Sequence, residues 1–423
     1  MIIGHIYRSL SLGGMQRGAG AILKVHHDMG HKLVVFTRDP VDGKEYDISV
    51  PFERVVLGGG SYRRRADVER KRKLHEGLSV HKCDLVIHHE YYAKSLVDDL
   101  ELLTSLGVPT LVQWHACFTA LHMSDAWDGQ VCHQLDIVKR YARGMLAFSR
   151  VDCTFFELLG IPARHIPYSD PDIFDENPTH KAGVGREILW PSRMSKQKQP
   201  LEAIKIFERV LEQMPDAHLT MLGDGPLRVD VETYLASRPT LSAKVSFPGF
   251  VNDVVSYFKD ADLVLMTSEY EGFCHSIMEA KMAAIPVVGY EMDYLDTTRP
   301  GTGYVSVPQG DVQGAAAKVC ELLRDGDERH RLGALGRKDF EWFASLDQQA
   351  LYHEAFELAL AKTPPPPCVV TDASLVSKVL NMLLRHVDAH SRNSKVLRVK
   401  AEEKRRRSFL YRLFTKLAKC FAG

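Results

Sequence analysis

Glu271 and Glu279 bracket a short loop and the start of a helix pattern, Gly272-Phe-Cys-His-Ser-Ile-Met278. At that spacing both carboxylates can face one cleft, and the backbone amides of a helix N-terminus point into it as well. Such a layout suits a negatively charged diphosphate with polyhydroxylated groups attached. Paired glutamates can also act as an acid/base couple. Upstream, Arg193 and Lys198 lie on Leu189-Trp-Pro-Ser-Arg-Met-Ser-Lys-Gln-Lys-Gln-Pro200, ahead of an apolar helix pattern at Leu201, Ile204, Phe207, Val210 and Leu211. A guanidinium and an ammonium on one loop can neutralise phosphate; a solvated basic loop is the plainer reading. His115 closes the apolar run 110–114, while His88 and His89 close the run before it. Asp170-Pro-Asp172 and Asp325-Gly-Asp327 have a form that can hold a divalent ion, but their turn-rich settings make them turn residues.

These groups need strand ends to carry them. Strands are expected over 2–7, 32–37, 85–88, 110–114 and 145–149, with helices over 19–29 and 151–159. The chain then runs through 161–168 to Ser-Asp-Pro-Asp, a turn-rich domain boundary. The alternation restarts with strands over 187–191, 218–222, 245–250, 263–267 and 285–288 and a helix over 199–214. Strand–helix alternation implies parallel sheets covered on both faces. The expected fold is α/β, with two facing Rossmann-like, doubly wound domains over 1–168 and 169–340 and a helical extension. An amphipathic helix over 341–361 contains Trp342, Phe343, Leu351, Tyr352, Phe356 and Leu360. Pro364–Pro367 begins a stiff linker within 362–394.

The stretch from Glu271 to Glu279, running on through Ala280-Lys-Met-Ala-Ala-Ile-Pro286-Val-Val-Gly289, resembles the E-x7-E signature of retaining, nucleotide-sugar-dependent glycosyltransferases. The resemblance is to glycosyltransferase family 4 and its GT-B fold. It covers about residues 1–361 and is strongest over 187–310, where Gly223-Asp-Gly-Pro-Leu227 and Phe247-Pro-Gly-Phe250 also fit. It implies that Arg193 and Lys198 clamp the donor diphosphate, stabilising the charge that builds on the leaving group. It implies that Glu279 accepts the ribose hydroxyls and that Glu271 lies near the sugar. The backbone amides of Phe273, Cys274 and His275 are then placed to contact sugar hydroxyls or phosphate. Cys274 and His275 depart from the commoner Gly-Phe-Gly, which marks the donor-sugar pocket as distinctive. Ser11-Leu-Gly-Gly-Met-Gln-Arg-Gly18 resembles the family's glycine-rich loop, with Gly14 as its phosphate-side residue. His115 takes the position of a histidine near the transferred sugar. The helix over 341–361 resembles the family's crossover to the first domain.

On this resemblance the chain is a transferase that moves a sugar, most simply from a UDP-sugar, to a glycan or lipid-linked glycan in polysaccharide or glycoconjugate synthesis. Arg and Lys neutralise the phosphates, so no metal or other cofactor is expected. A sugar-nucleotide epimerase and a non-catalytic partner subunit are the rival readings.

Composition sets the outer limits. The chain has 423 residues, long enough for two domains, and 45% apolar residues, enough for ordinary cores. Eight scattered cysteines lack any C-x-x-C, so reduced thiols of a cytoplasmic protein are expected rather than a disulfide framework. No run of about 18 apolar residues exists for a membrane span. The zero net charge hides an asymmetric tail: residues 398–423 carry nine Lys and Arg against two Glu. Leu410, Leu413, Phe414, Leu417 and Phe421 recur there at helical spacing among the basic residues. The tail over 395–423 is expected to lie on an anionic membrane surface at the inner face of the cell membrane; a helix docking on an acidic body or another subunit, or a disordered tail, are the alternatives. Confinement of the basic charge to this tail, without a recognised module, argues against nucleic acid as a partner.

Overall fold

The computed structural model describes residues 1–10, 14–40, 48–58, 67–90, 93–118, 130–168, 185–251, 253–362 and 370–393. Two compact units divide the chain: Met1–Tyr168 together with the chain from Asp347, and Ser169–Leu346. Each is built on a parallel sheet.

The first unit strings together β1 (Ile2–Tyr7), β2 (Lys32–Thr37), β3 (Glu53–Val56), β4 (Leu85–His88), β5 (Thr110–Trp114), β6 (Gly144–Ala147) and β7 (Ala163–His165). The sheet order is β3-β2-β1-β4-β5-β6-β7, with every pairing parallel. The central strands β1, β4, β5 and β6 are buried on both faces almost throughout, as a sheet covered by helices requires. The two-residue period of β1 sorts its side chains. Ile3 and Tyr7 pack with Ile22 and Leu23 of the helix Gly14–Asp28 and with Tyr352 and Phe356. Ile6 faces the other layer with Val34, Phe36, Leu74 and Leu78. His5 therefore shares the face of Ile3 and Tyr7.

The second unit contains β8 (Glu187–Pro191), β9 (His218–Leu222), β10 (Val245–Gly249), β11 (Leu263–Met266), β12 (Val287–Tyr290) and β13 (Tyr304–Val307). Its order is β10-β9-β8-β11-β12-β13, again parallel. Chain order reverses between β8 and β11, and in the first unit between β1 and β4. At such a switch point neighbouring loops depart to opposite faces and leave a crevice at the strands' carboxyl ends. Arg193 and Lys198 follow β8, and Glu271 follows β11. The topology thus makes neighbours of two loops far apart in sequence.

Three expectations need correction. The helix expected over 341–361 is two: Gly326–Ala344 in the second unit and Gln348–Leu360 in the first. The chain turns at Ser345–Asp347, where the Asp347 carboxylate accepts the Ala350 N–H at 2.9 Å and starts a new helix. Trp342 and Phe343 therefore belong to a different helix from Tyr352 and Phe356. The strand expected over 285–288 begins at Val287, because Ala284 takes a left-handed conformation (φ 55°) that ends the preceding helix and leaves Ile285 and Pro286 as the connection. The glycine-rich stretch read as a loop is helical from Gly14 onward.

Pro364–Pro367, Asp170, Asp172 and the tail over 395–423 lie outside the described residues. Asp325 caps the helix Gly326–Ala344, accepting the Glu328 N–H at 2.9 Å, so it is the turn residue expected of it. Among the described residues no helix is long and apolar enough to cross a membrane.

Candidate active site

The turn after β8 is fixed by hydrogen bonds to the loop after β11. Lys196–Lys198 forms one 3₁₀ turn, and Gln199, left-handed at φ 49°, hands the chain to the helix Pro200–Leu211. Trp190 Nε1 donates to Thr267 Oγ1 at 2.9 Å, and that hydroxyl donates to the Lys198 carbonyl at 2.7 Å. Gln197 Nε2 donates to the Tyr270 carbonyl at 2.8 Å, and the Glu269 N–H returns a bond to the Gln197 carbonyl at 2.8 Å. The β8 and β11 loops are therefore stitched together on both sides of Lys198.

Two glycines complete the turn. Gly223 sits at φ +93°, and a Cβ there would come within 2.6 Å of the Ser192 carbonyl oxygen. A Cβ on Gly225 would meet the Met194 carbonyl oxygen at 2.5 Å. The Gly-Asp-Gly after β9 thus lets the backbone press against the turn that carries Arg193.

Into this turn the structure brings Lys198 and Glu271, 73 positions apart in sequence, as a direct ion pair. Burial works against the Lys198 ammonium, but the Glu271 carboxylate beside it outweighs this and raises its pKa, so Lys198 is cationic. Glu271 is nearly inaccessible, and Tyr294 fixes its backbone twice over. The Tyr294 hydroxyl accepts the Glu271 N–H at 2.7 Å and donates to the Glu271 carbonyl at 2.9 Å. Arg193 is exposed, and its guanidinium makes no ion pair among the described residues. An exposed guanidinium on the same loop as the Lys198–Glu271 pair is open to an incoming anion.

Phe273 and Cys274 are buried and His275 half-buried at the head of the helix His275–Met282. Cys274 is left-handed at φ 68°, a conformation that favours glycine, and it turns the loop into the helix. Burial first, then the Glu271 carboxylate, push its thiol well up, so it stays protonated. Ser276 Oγ ties the helix start to the Pro191 carbonyl at 2.8 Å. Glu279 lies one turn further on, with its side chain buried.

Behind this helix sits a network that the sequence reading missed. Lys281 is fully buried, and its ammonium donates to Asp339 and to the Thr297 carbonyl, both at 2.6 Å. Thr297 Oγ1 in turn donates to the Phe273 carbonyl at 3.2 Å. Arg299 binds the other Asp339 oxygen at 2.8 Å and stacks over Trp342. Burial lowers the Lys281 ammonium to about 8 against the pull of Asp339. This lysine braces the loop that carries Phe273 and Cys274.

The remaining two candidates lie in the first unit. Gly14 opens the helix that follows β1. His115 stands just past β5, half-buried, and its Nε2 is 2.8 Å from His89 Nδ1. His89 Nε2 meets His5 Nδ1 at 3.1 Å, and His5 Nε2 meets His26 Nδ1 at 3.2 Å. Tyr7 stacks on His89 at 3.9 Å. His88, the other strand-end candidate, is instead taken up by Asp99 at 3.0 Å, beside the buried Arg70–Asp99 pair. The spacing of five scattered histidines gives no hint of this division.

Burial lowers the pKa of each ring in the chain, to about 3 for His5 and His115. The unfolded chain binds these protons near the ordinary 6.5, so between pH 6.5 and 3 it holds protons that the folded state refuses. Stability is therefore present above 6.5 and is lost on acidification. His5 alone contributes a slope of about 1.4 kcal/mol per pH unit in that window. Denaturant midpoints should fall steeply from pH 6.5 to 5, above the carboxylate range. A flat profile there contradicts burial of these rings.

Residues 174–339 match the family described as Glycosyl transferases group 1. A sulfoquinovosyl transferase of Arabidopsis thaliana is 26% identical over 154 residues, which is 34% of this chain and 29% of that protein. A poly(glycerol-phosphate) alpha-glucosyltransferase of Bacillus subtilis is 30% identical over 137 residues, 32% and 20% of the respective chains. The chain spans less than half the length of the curated relatives it matches. Among solved structures, Anabaena HepE in complex with UDP aligns with a TM-score of 0.67 at 18% identity, over 84% of this chain and 99% of that one. A TarM variant of S. aureus bound to fondaparinux, alpha-GlcNAc-glycerol and UDP gives 0.68 at 12% identity, over 85% and 100%. At these identities the likeness carries the fold alone.

Proposed function

We propose that this chain, which carries a group 1 glycosyltransferase domain on a GT-B fold, transfers a sugar from a nucleotide-sugar to a glycan or lipid-linked glycan with retention of anomeric configuration. The observation that carries the reading is the Lys198–Glu271 pair at a switch-point turn whose loop also carries the exposed Arg193. Cleaving a sugar–diphosphate bond loads charge on the leaving group and positive character on the anomeric carbon. Arg193 and Lys198 meet the first demand, and the fixed Glu271 carboxylate meets the second. Lys198 exchanges an exclusive partner for a shared one when the diphosphate arrives. Glu279 holds the ribose, and the loop Phe273–His275 holds the sugar. The departing phosphate takes the acceptor proton on the same face, so no side chain acts as a nucleophile.

UDP as the carrier is supported by its presence in the HepE and TarM complexes. A role in family 4-type polysaccharide synthesis is supported by similarity to the poly(glycerol-phosphate) glucosyltransferase and to a capsular polysaccharide glycosyltransferase of Staphylococcus aureus. In the same reading His115 and Gly14 of the first unit serve the transferred sugar and the donor phosphates. The basic tail over 395–423 brings the protein to an anionic membrane surface on the cytoplasmic side, where lipid-linked acceptors lie. A panel of α-configured UDP-sugars, with vesicles carrying lipid-linked glycan, should yield nucleoside diphosphate and an α-linked product by NMR. A β-linked product would overturn retention.

A further inference from the structure

We propose that His26, His5 and His89 form a hydrogen-bonded relay that fixes His115 as its Nδ1–H tautomer. Each of the three ring–ring bonds joins Nδ1 of one histidine to Nε2 of the next, at 3.2, 3.1 and 2.8 Å. A neutral imidazole has one N–H and one lone pair, so four rings linked in this sense must share a single tautomer. They are all Nδ1–H or all Nε2–H.

The far end decides. His26 Nε2 is buried with no hydrogen-bond partner among the described residues, packed against the Tyr352 and Phe356 rings. An N–H there would be orphaned, since an aromatic ring is only a weak acceptor, whereas a lone pair at that edge strands no donor. The all-Nδ1–H arrangement follows. His89 then donates to His115 Nε2, and His115 carries its hydrogen on Nδ1.

A charged ring would break the pattern, because an imidazolium has no lone pair with which to accept. The titratable rings facing the relay among the described residues are Tyr7, stacked on His89 and His5, Tyr352 at His26, and His31 beyond Phe356. Burial keeps the rings of the relay neutral near pH 7. The inference rests on the reading in which His115 serves the transferred sugar. There it makes His115 a neutral ring with its only lone pair already engaged by His89. It cannot then take the acceptor proton, which leaves that task to the departing phosphate. His5, His26 and His89 are positioning residues.

Long-range ring 1H–15N spectra of the full ¹⁵N-histidine-labelled chain at pH 7, assigned through single histidine substitutions, read the tautomers directly. The relay predicts Nδ1–H for His5, His26, His89 and His115 together. His89→Asn sets an amide N–H where Nδ1 stood and should keep His115 as Nδ1–H. His89→Leu removes the donor and should give a mixture with Nε2–H, with kcat down about tenfold and KM within about twofold. A wild-type spectrum with Nε2–H rings among the four, or the same His115 tautomer in both variants, overturns the relay. Transfer at the wild-type rate by His115→Ala would instead overturn the role given to His115, while the tautomer result stands.

Discussion

Replacing Arg193 by Ala should lower kcat/KM for transfer by about 10²–10³-fold, or about 3–4 kcal/mol of transition-state stabilisation. The guanidinium is exposed and makes no ion pair among the described residues, so the thermal midpoint should stay within about 2 °C of wild type. Lys198→Ala should lose activity to a similar degree but also lose stability, because it leaves the buried Glu271 carboxylate without its cation. Near-normal rates in both variants would remove the phosphate clamp from the account. A loss in Lys198→Ala alone would reduce Arg193 to a solvated side chain.

Asp339→Ala should cost about 3–5 kcal/mol of stability. It strands the Lys281 ammonium in a site with no exposure and frees Arg299 from its partner. The contrast lies in Lys281→Met. That change keeps much of the volume and leaves Asp339 paired with Arg299, so it should cost far less. Denaturant melts of the two variants measure the difference. Equal costs would mean that the site senses volume and that the buried charges contribute little. Because Thr297 joins Lys281 to the Phe273 carbonyl, Asp339→Ala should also weaken donor binding.

The framework of both sheets was legible because their central strands are short Val-, Ile- and Leu-rich runs with clear ends. The strands Ile2–Tyr7, Lys32–Thr37, Leu85–His88, Thr110–Trp114, Glu187–Pro191 and His218–Leu222 stand where those runs are. Local signals failed where a single backbone angle decides. Ala284 carries no glycine or asparagine flag for its positive φ, so the start of the next strand was placed two residues early. Amphipathic spacing also ran unbroken across Ser345–Asp347, since Trp342, Phe343, Leu351 and Tyr352 keep helical intervals on either side of the turn. Only the Asp347 cap hints at the break. In the site, the residue types and spacings of Arg193, Lys198, Glu271 and Glu279 were visible, but their relation was not. The Lys198–Glu271 contact depends on β8 and β11 being sheet neighbours, which is a property of topology. Tyr294, Thr267, Lys281 and Asp339 carry no motif at all. Their roles come from burial and from which carbonyl each happens to reach.

Calorimetric titration of the full chain with UDP decides whether Arg193 and Lys198 form a diphosphate site, because it needs neither the donor sugar nor the acceptor. Binding to the wild type should be saturable, and weakened at least about tenfold when Arg193 and Lys198 are both replaced by Ala. Absence of binding to the wild type, or undiminished binding to a folded double variant, would contradict such a site.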